Sequence, residues 1–152
     1  ENLTLADALR ESQMIYMLGG FPQYLAQSLA GTAAWQAISR ARQAGAVIGG
    51  SSAGAMVLCE YYYNPEHDRV LQGLGLVKGF CVLPHHDTFG SSWAPRLRRL
   101  LPEIVMIGID EETGVIDDAS SGHWRVYGKG AATRYHHDRV QRFGSADEFS
   151  MP

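Results

Sequence analysis

Only two cysteines, Cys59 and Cys81, occur in this chain of 152 residues. That excludes a disulfide-stapled scaffold and a four-cysteine zinc site. No apolar run approaches the ~20 residues that a membrane-crossing helix needs. No signal peptide is visible, although the chain starts at Glu1, so a removed leader stays open. These features point to a cytoplasmic protein without a membrane partner. Positive charge is also in short supply. Lys and Arg number 13 against 16 Asp and Glu, a net charge of -3, so nothing electrostatic recommends nucleic acid as a partner.

What is present suits a globular α/β domain. Hydrophobic residues make up 45% and charged residues 19%, and the length matches a single domain over residues 1–152. Seventeen glycines cluster at turns. The first half alternates short apolar strands, Met14–Leu18 and Ala46–Ile48, with helical stretches at Leu5–Ser12, Phe21–Ala30 and Ala33–Ala44. Thr32 is placed to cap the last of these. A further helix is expected over Ala53–Tyr61, a strand over Phe80–Leu83, a helix over Ala94–Leu101 and a strand over Ile104–Ile109. Such alternation is the pattern of βαβ units around a mostly parallel central sheet with helices on both faces. From Gly114 onward, short strands and tight turns such as Gly128-Lys-Gly130 read as antiparallel.

The chemistry gathers at strand ends. Gly50-Ser51-Ser52-Ala53-Gly54 lies between an expected strand and an expected helix, the context in which G-x-S-x-G becomes a nucleophile elbow. Its neighbours are small, as a strained turn requires. The Ala53 N–H would face an oxyanion at the helix start. The competing reading is a plain glycine-rich turn. A serine hydroxyl needs a base. Of six histidines, His85 and His86 directly follow the strand Phe80–Leu83 and reach the same sheet edge. The base in turn needs a carboxylate, and Asp110, Glu111 and Glu112 follow the strand Ile104–Ile109. Gly19-Gly20, after the first strand, leaves backbone N–H groups open near that edge. Adjacent pairs such as His85-His86 and His136-His137 point to opposite sides, so no metal site and no cofactor is expected. Cys59 reads as core.

Taken together, Leu18-Gly19-Gly20, Gly49 to Ala55, Leu83-Pro84-His85 and Gly108 to Thr113 resemble the S51 peptidase family. That family includes aspartyl dipeptidase and cyanophycinase, within the class I glutamine-amidotransferase-like, flavodoxin-like fold. The resemblance runs from about Met14 to about Lys129. It implies Ser52 as nucleophile, His85 as base, Glu111 as orienting acid, and Gly20 and Ala53 as oxyanion donors. It also implies that one or two βα units preceding Met14 in the family are missing here.

The chain departs from the family at two places. Phe21-Pro22 follows the first glycine pair where a small polar residue is usual. Trp93 or Ala94 stands where aspartyl dipeptidases carry an arginine, with Arg96, Arg98 and Arg99 further along. Arg96 or Arg99 is a candidate ligand for a substrate carboxylate, and Phe21 and His86 are further candidates for substrate contact. The reading is therefore a serine hydrolase acting on a small peptide or isopeptide through an acyl-enzyme. One alternative is an esterase of α/β-hydrolase type using Asp110 with His123 or His136. Another is a non-catalytic ligand-binding or assembly domain, whose open sheet edge would pair with a second copy as a homo-oligomer.

Overall fold

The computed structural model describes residues 3–117 and 122–150. In chain order the elements are α1 (Leu3–Glu11), β1 (Met14–Met17), α2 (Pro22–Leu29), α3 (Ala33–Gln43), β2 (Val47–Gly50) and α4 (Ala53–Leu58). A hairpin of β3 (Tyr61–Asn64) and β4 (Arg69–Gln72) follows, then β5 (Phe80–Leu83), a 3₁₀ turn at Gly90–Trp93, α5 (Ala94–Leu100) and β6 (Val105–Ile109). The chain ends in β7 (Thr113–Asp117), β8 (His123–Gly128), β9 (Ala132–His136), β10 (Arg139–Phe143) and β11 (Glu148–Ser150).

Local chemistry explains the boundaries. The Thr32 hydroxyl accepts from the Trp35 N–H at 3.2 Å and caps α3. Its buried stripe is Ala37, Ile38 and Ala41, one helical face. Pro22 opens α2, where its missing N–H is no loss. α4 is shorter than the sequence pattern predicts. Cys59 is extended and bridges to Val77, so the three tyrosines that follow form β3 rather than a last helical turn. Aromatic residues suit a pleated, half-buried surface, and a turn at Pro65–Asp68 closes the hairpin.

β1 and β2 pair in parallel, as do β5 and β6. Each pair is joined through helices, the connection that parallel neighbours require. The expectation of a mostly parallel sheet needs correction. Among the described strands the other ladders are antiparallel, and the largest sheet runs β10-β9-β6-β5, so the tail enters the central sheet beside β6. The two-residue turn at His137–Asp138 joins β9 directly to β10, a connection that only an antiparallel pair can use. A separate sheet, β11-β8-β7, packs Val126 and Phe149 against Phe80 and Ile107. Helices on both faces also needs correction at β1–β2. Ile15, Met17 and Ile48 pack under helices α1 to α4, whereas Met14, Tyr16 and Val47 on the opposite face are exposed. Among the described residues, no helix is long and apolar enough to cross a membrane.

Candidate active site

The turn between β2 and α4 sets Ser52 at φ 49°, ψ -118°, a conformation that a residue with a side chain adopts only under strain of about 1–3 kcal/mol. Close packing holds it there. The Ser51 N–H donates to the Met17 carbonyl at 3.0 Å, and the Gly54 N–H to the Ser51 carbonyl at 2.8 Å. A Cβ on Gly54 would lie 2.2 Å from the Met17 oxygen, so α4 can start this close to β1 only with glycine. The loop after β1 passes beside the hydroxyl: a Cβ on Gly19 would sit 3.6 Å from Ser52 Oγ. Gly20, next in line, has φ +135°, which a side chain rarely tolerates.

β5 and β6 end side by side, with Leu83 opposite Gly108. The residues just beyond them therefore meet at one edge. His85, itself at φ 53°, lies with Nε2 3.0 Å from Ser52 Oγ and Nδ1 2.6 Å from Glu111 Oε1. With hydrogen on Nδ1, the ring donates to Glu111 and its Nε2 accepts from the Ser52 hydroxyl. Two backbone bonds stitch the loops together. The His86 N–H donates to the Ile109 carbonyl at 3.0 Å, and the Glu111 N–H to Asp87 Oδ1 at 2.9 Å.

His86 and Asp110, the neighbours in sequence, point the other way. His86 is 7% and Asp110 4% exposed. Their side chains meet at 3.3 Å, and His86 Nε2 lies 2.7 Å from the Tyr135 hydroxyl. Asp110 Oδ2 also accepts from the Ala131 N–H at 2.9 Å and from Arg142 at 3.0 Å. Gly108 leaves room for the imidazole; a Cβ there would strike its ring. Two histidine–acid pairs thus stand back to back, His85–Glu111 at the surface and His86–Asp110 within.

The remaining candidates divide plainly. His123 pairs with the Ser150 hydroxyl, and the His136 ring lies tilted against that of His137, so neither tail histidine has Ser52 as partner. Burial, with the charge of His137 next, lowers the pKa of His136. Arg96 binds the Asp68 carboxylate at 3.0 Å and its carbonyl at 3.2 Å, and Arg98 donates to the His137 carbonyl. Arg99 is exposed in the last turn of α5. Ala53 is buried at the start of α4, and Phe21 is exposed at the start of α2. Burial raises both thiols, that of Cys81 to about 12, which leaves them as core. The surface depression between α1 and α3, lined by Ala6, Arg10, Gln36 and Arg40, includes none of Ser52, His85 and Glu111.

Sequence reasoning missed two contacts. Phe89 stacks on the His85 ring at 5.0 Å. Asp87 holds the Glu111 backbone. The Asp87 carboxylate was visible two residues past His85; nothing in the pattern marked Phe89.

The family model of Peptidase family S51 matches residues 2–120. Among solved structures, a peptidase from an acI-B1 Actinobacterium is 29% identical with a TM-score of 0.88, over 99% of this chain. A provisionally assigned peptidase E protein from Listeria monocytogenes EGD-e is 21% identical, with a TM-score of 0.57 over 93% of this chain, and is alike in fold. This chain spans 64% of the actinobacterial protein's length and 65% of the Listeria protein's. No curated protein matches it.

Proposed function

The chain belongs to peptidase family S51, and from that premise we propose that it is a serine hydrolase cleaving a small peptide or isopeptide bond through an acyl-enzyme on Ser52. The observation that carries the reading is the continuous hydrogen-bonded chain Ser52–His85–Glu111, at 3.0 and 2.6 Å. Ser52 Oγ attacks the scissile carbonyl while His85 Nε2 takes its proton. Glu111 holds the ring's tautomer and stabilises the imidazolium. The N–H groups of Gly20 and Ala53 receive the oxyanion, where fixed donors outperform water because they need not reorient. His85 then returns its proton to the leaving amine, and water, activated in the same way, releases the acyl group. Each step uses side chains and backbone of this chain alone.

The esterase order, with an acid and then a tail histidine, has less support, since Ser150 and His137 occupy those histidines. A fluorophosphonate probe tests the reading. It should label Ser52, and Ser52→Ala should abolish both labelling and peptide hydrolysis while leaving the fold intact. Labelling that persists in Ser52→Ala would place the reactive hydroxyl elsewhere. A wild-type protein inert to the probe would favour a non-catalytic domain.

A further inference from the structure

We propose that Phe89 and Phe21 receive the substrate's side chain, so that this site takes peptides with an apolar or aromatic residue at the scissile bond and discriminates against acidic ones. The inference rests on the serine-hydrolase reading and adds its substrate class.

Phe89 is the first observation. Its ring lies against the His85 ring at 5.0 Å and 27°, and its centroid is 5.6 Å from Trp93, which in turn stands 5.2 Å from Tyr63. Trp93 packs on the buried core and meets the Phe89 ring in a tilted contact. Yet Phe89 remains 52% exposed. A large apolar ring thus stands between the His85 and Trp93 rings with half its surface in water. Such a ring gains by contact with an apolar group and has nothing to offer a carboxylate.

Phe21 is the second observation, and an independent one. It follows Gly20 directly and is 68% exposed. It occupies the N-cap of α2, where Ser, Thr, Asp or Asn would satisfy an orphan N–H, and makes no side-chain cap bond. The phenyl group therefore satisfies no N–H of the helix's first turn. A local rule broken beside the proposed oxyanion donor fits a functional demand better than a structural one.

Charge is the third. Glu111 and Asp87 both stand at the His85 edge. An acidic substrate would need a cation to offset them. Arg96 is engaged by Asp68, Arg98 by the His137 carbonyl, and Lys129 by Glu112. Arg99 stands in the last turn of α5, the end remote from the 3₁₀ turn that carries Trp93. Arg96, Arg98 and Lys129 are thus each engaged by another partner, and Arg99 stands at the far end of α5 from Trp93.

The test uses three peptidyl diphenyl phosphonates that differ only in the side chain next to phosphorus: benzyl, hydrogen or carboxymethyl. A plain fluorophosphonate is run in parallel. The wild-type protein should react at Ser52 at least tenfold faster with the benzyl than with the hydrogen compound, and slowest with the carboxymethyl compound. Phe89→Ala should bring the benzyl-to-hydrogen ratio to within about twofold of unity, Phe89→Leu should restore most of it, and Phe21→Ala should lower it. The ratio is internal to each variant, so a general loss of reactivity does not move it. Plain labelling of Ser52 with no benzyl preference, or with a preference for carboxymethyl, overturns the substrate class and leaves the acyl-enzyme standing. Failure of the plain probe overturns the acyl-enzyme itself. An unchanged ratio in Phe89→Ala removes Phe89 from substrate contact.

Discussion

Adjacent residues with the same chemistry are assigned opposite environments here. His85 and Glu111 are open to the proposed substrate, whereas His86 and Asp110 are closed in by Tyr135, Ala131 and Arg142. The two acids should therefore fail differently. Glu111→Gln should keep stability and lower kcat steeply, since loss of the orienting carboxylate lowers turnover by about 10⁴-fold in a serine-protease triad. Asp110→Asn should instead lower stability by about 1–3 kcal/mol in urea unfolding, because it disturbs a buried acceptor with three partners. A crippled Asp110→Asn of normal stability beside an active Glu111→Gln would exchange their roles. From the sequence, position after a strand could name His85 or His86 and three acids; only the family resemblance separated them. Phe89 was illegible because its importance lies in a stack across four residues of irregular chain, which no periodicity announces.

At the scale of elements, the small residues around Ser52 are an approach constraint. β1, β2 and the first turn of α4 converge so closely that Gly54 sits against the Met17 carbonyl. Gly54→Ala should force α4 outward and cost about 1–3 kcal/mol or more of stability, as overpacking does. It should also reduce fluorophosphonate labelling, since Ser52 stands at the N-cap position of that helix and moves with it. A variant as stable and reactive as wild type would mean that the turn is looser than its geometry. The helices and strands up to β2 were legible because glycine pairs and a threonine cap punctuate them. The β3–β4 hairpin was not, since no glycine or proline separates Cys59 from the tyrosines and an apolar run reads equally well as a longer helix. The tail's antiparallel strands could be read from their turns. Their insertion beside β6 could not, because pairing partners far apart in sequence leave no local mark.

For the molecule as a whole, the turn at Ser52 has a thermodynamic consequence. A residue with positive φ is tolerated because everything around it is better packed in that conformation than in any relaxed one. The packing of the rest of the fold therefore offsets the strain of this one residue. Ser52→Gly removes the strain of about 1–3 kcal/mol, offset by the roughly 0.5–1 kcal/mol that glycine loses in chain entropy. The inert variant should melt higher than the wild type, by about 2–4 °C for each kcal/mol gained in a protein of this size, and Ser52→Ala, which keeps a Cβ, should not. Calorimetry on the three proteins decides it. If Ser52→Gly melts no higher than Ser52→Ala, the turn is relaxed as it stands. If it does, selection for thermal endurance alone would erase the serine, and its presence records a requirement that the fold's own energetics oppose.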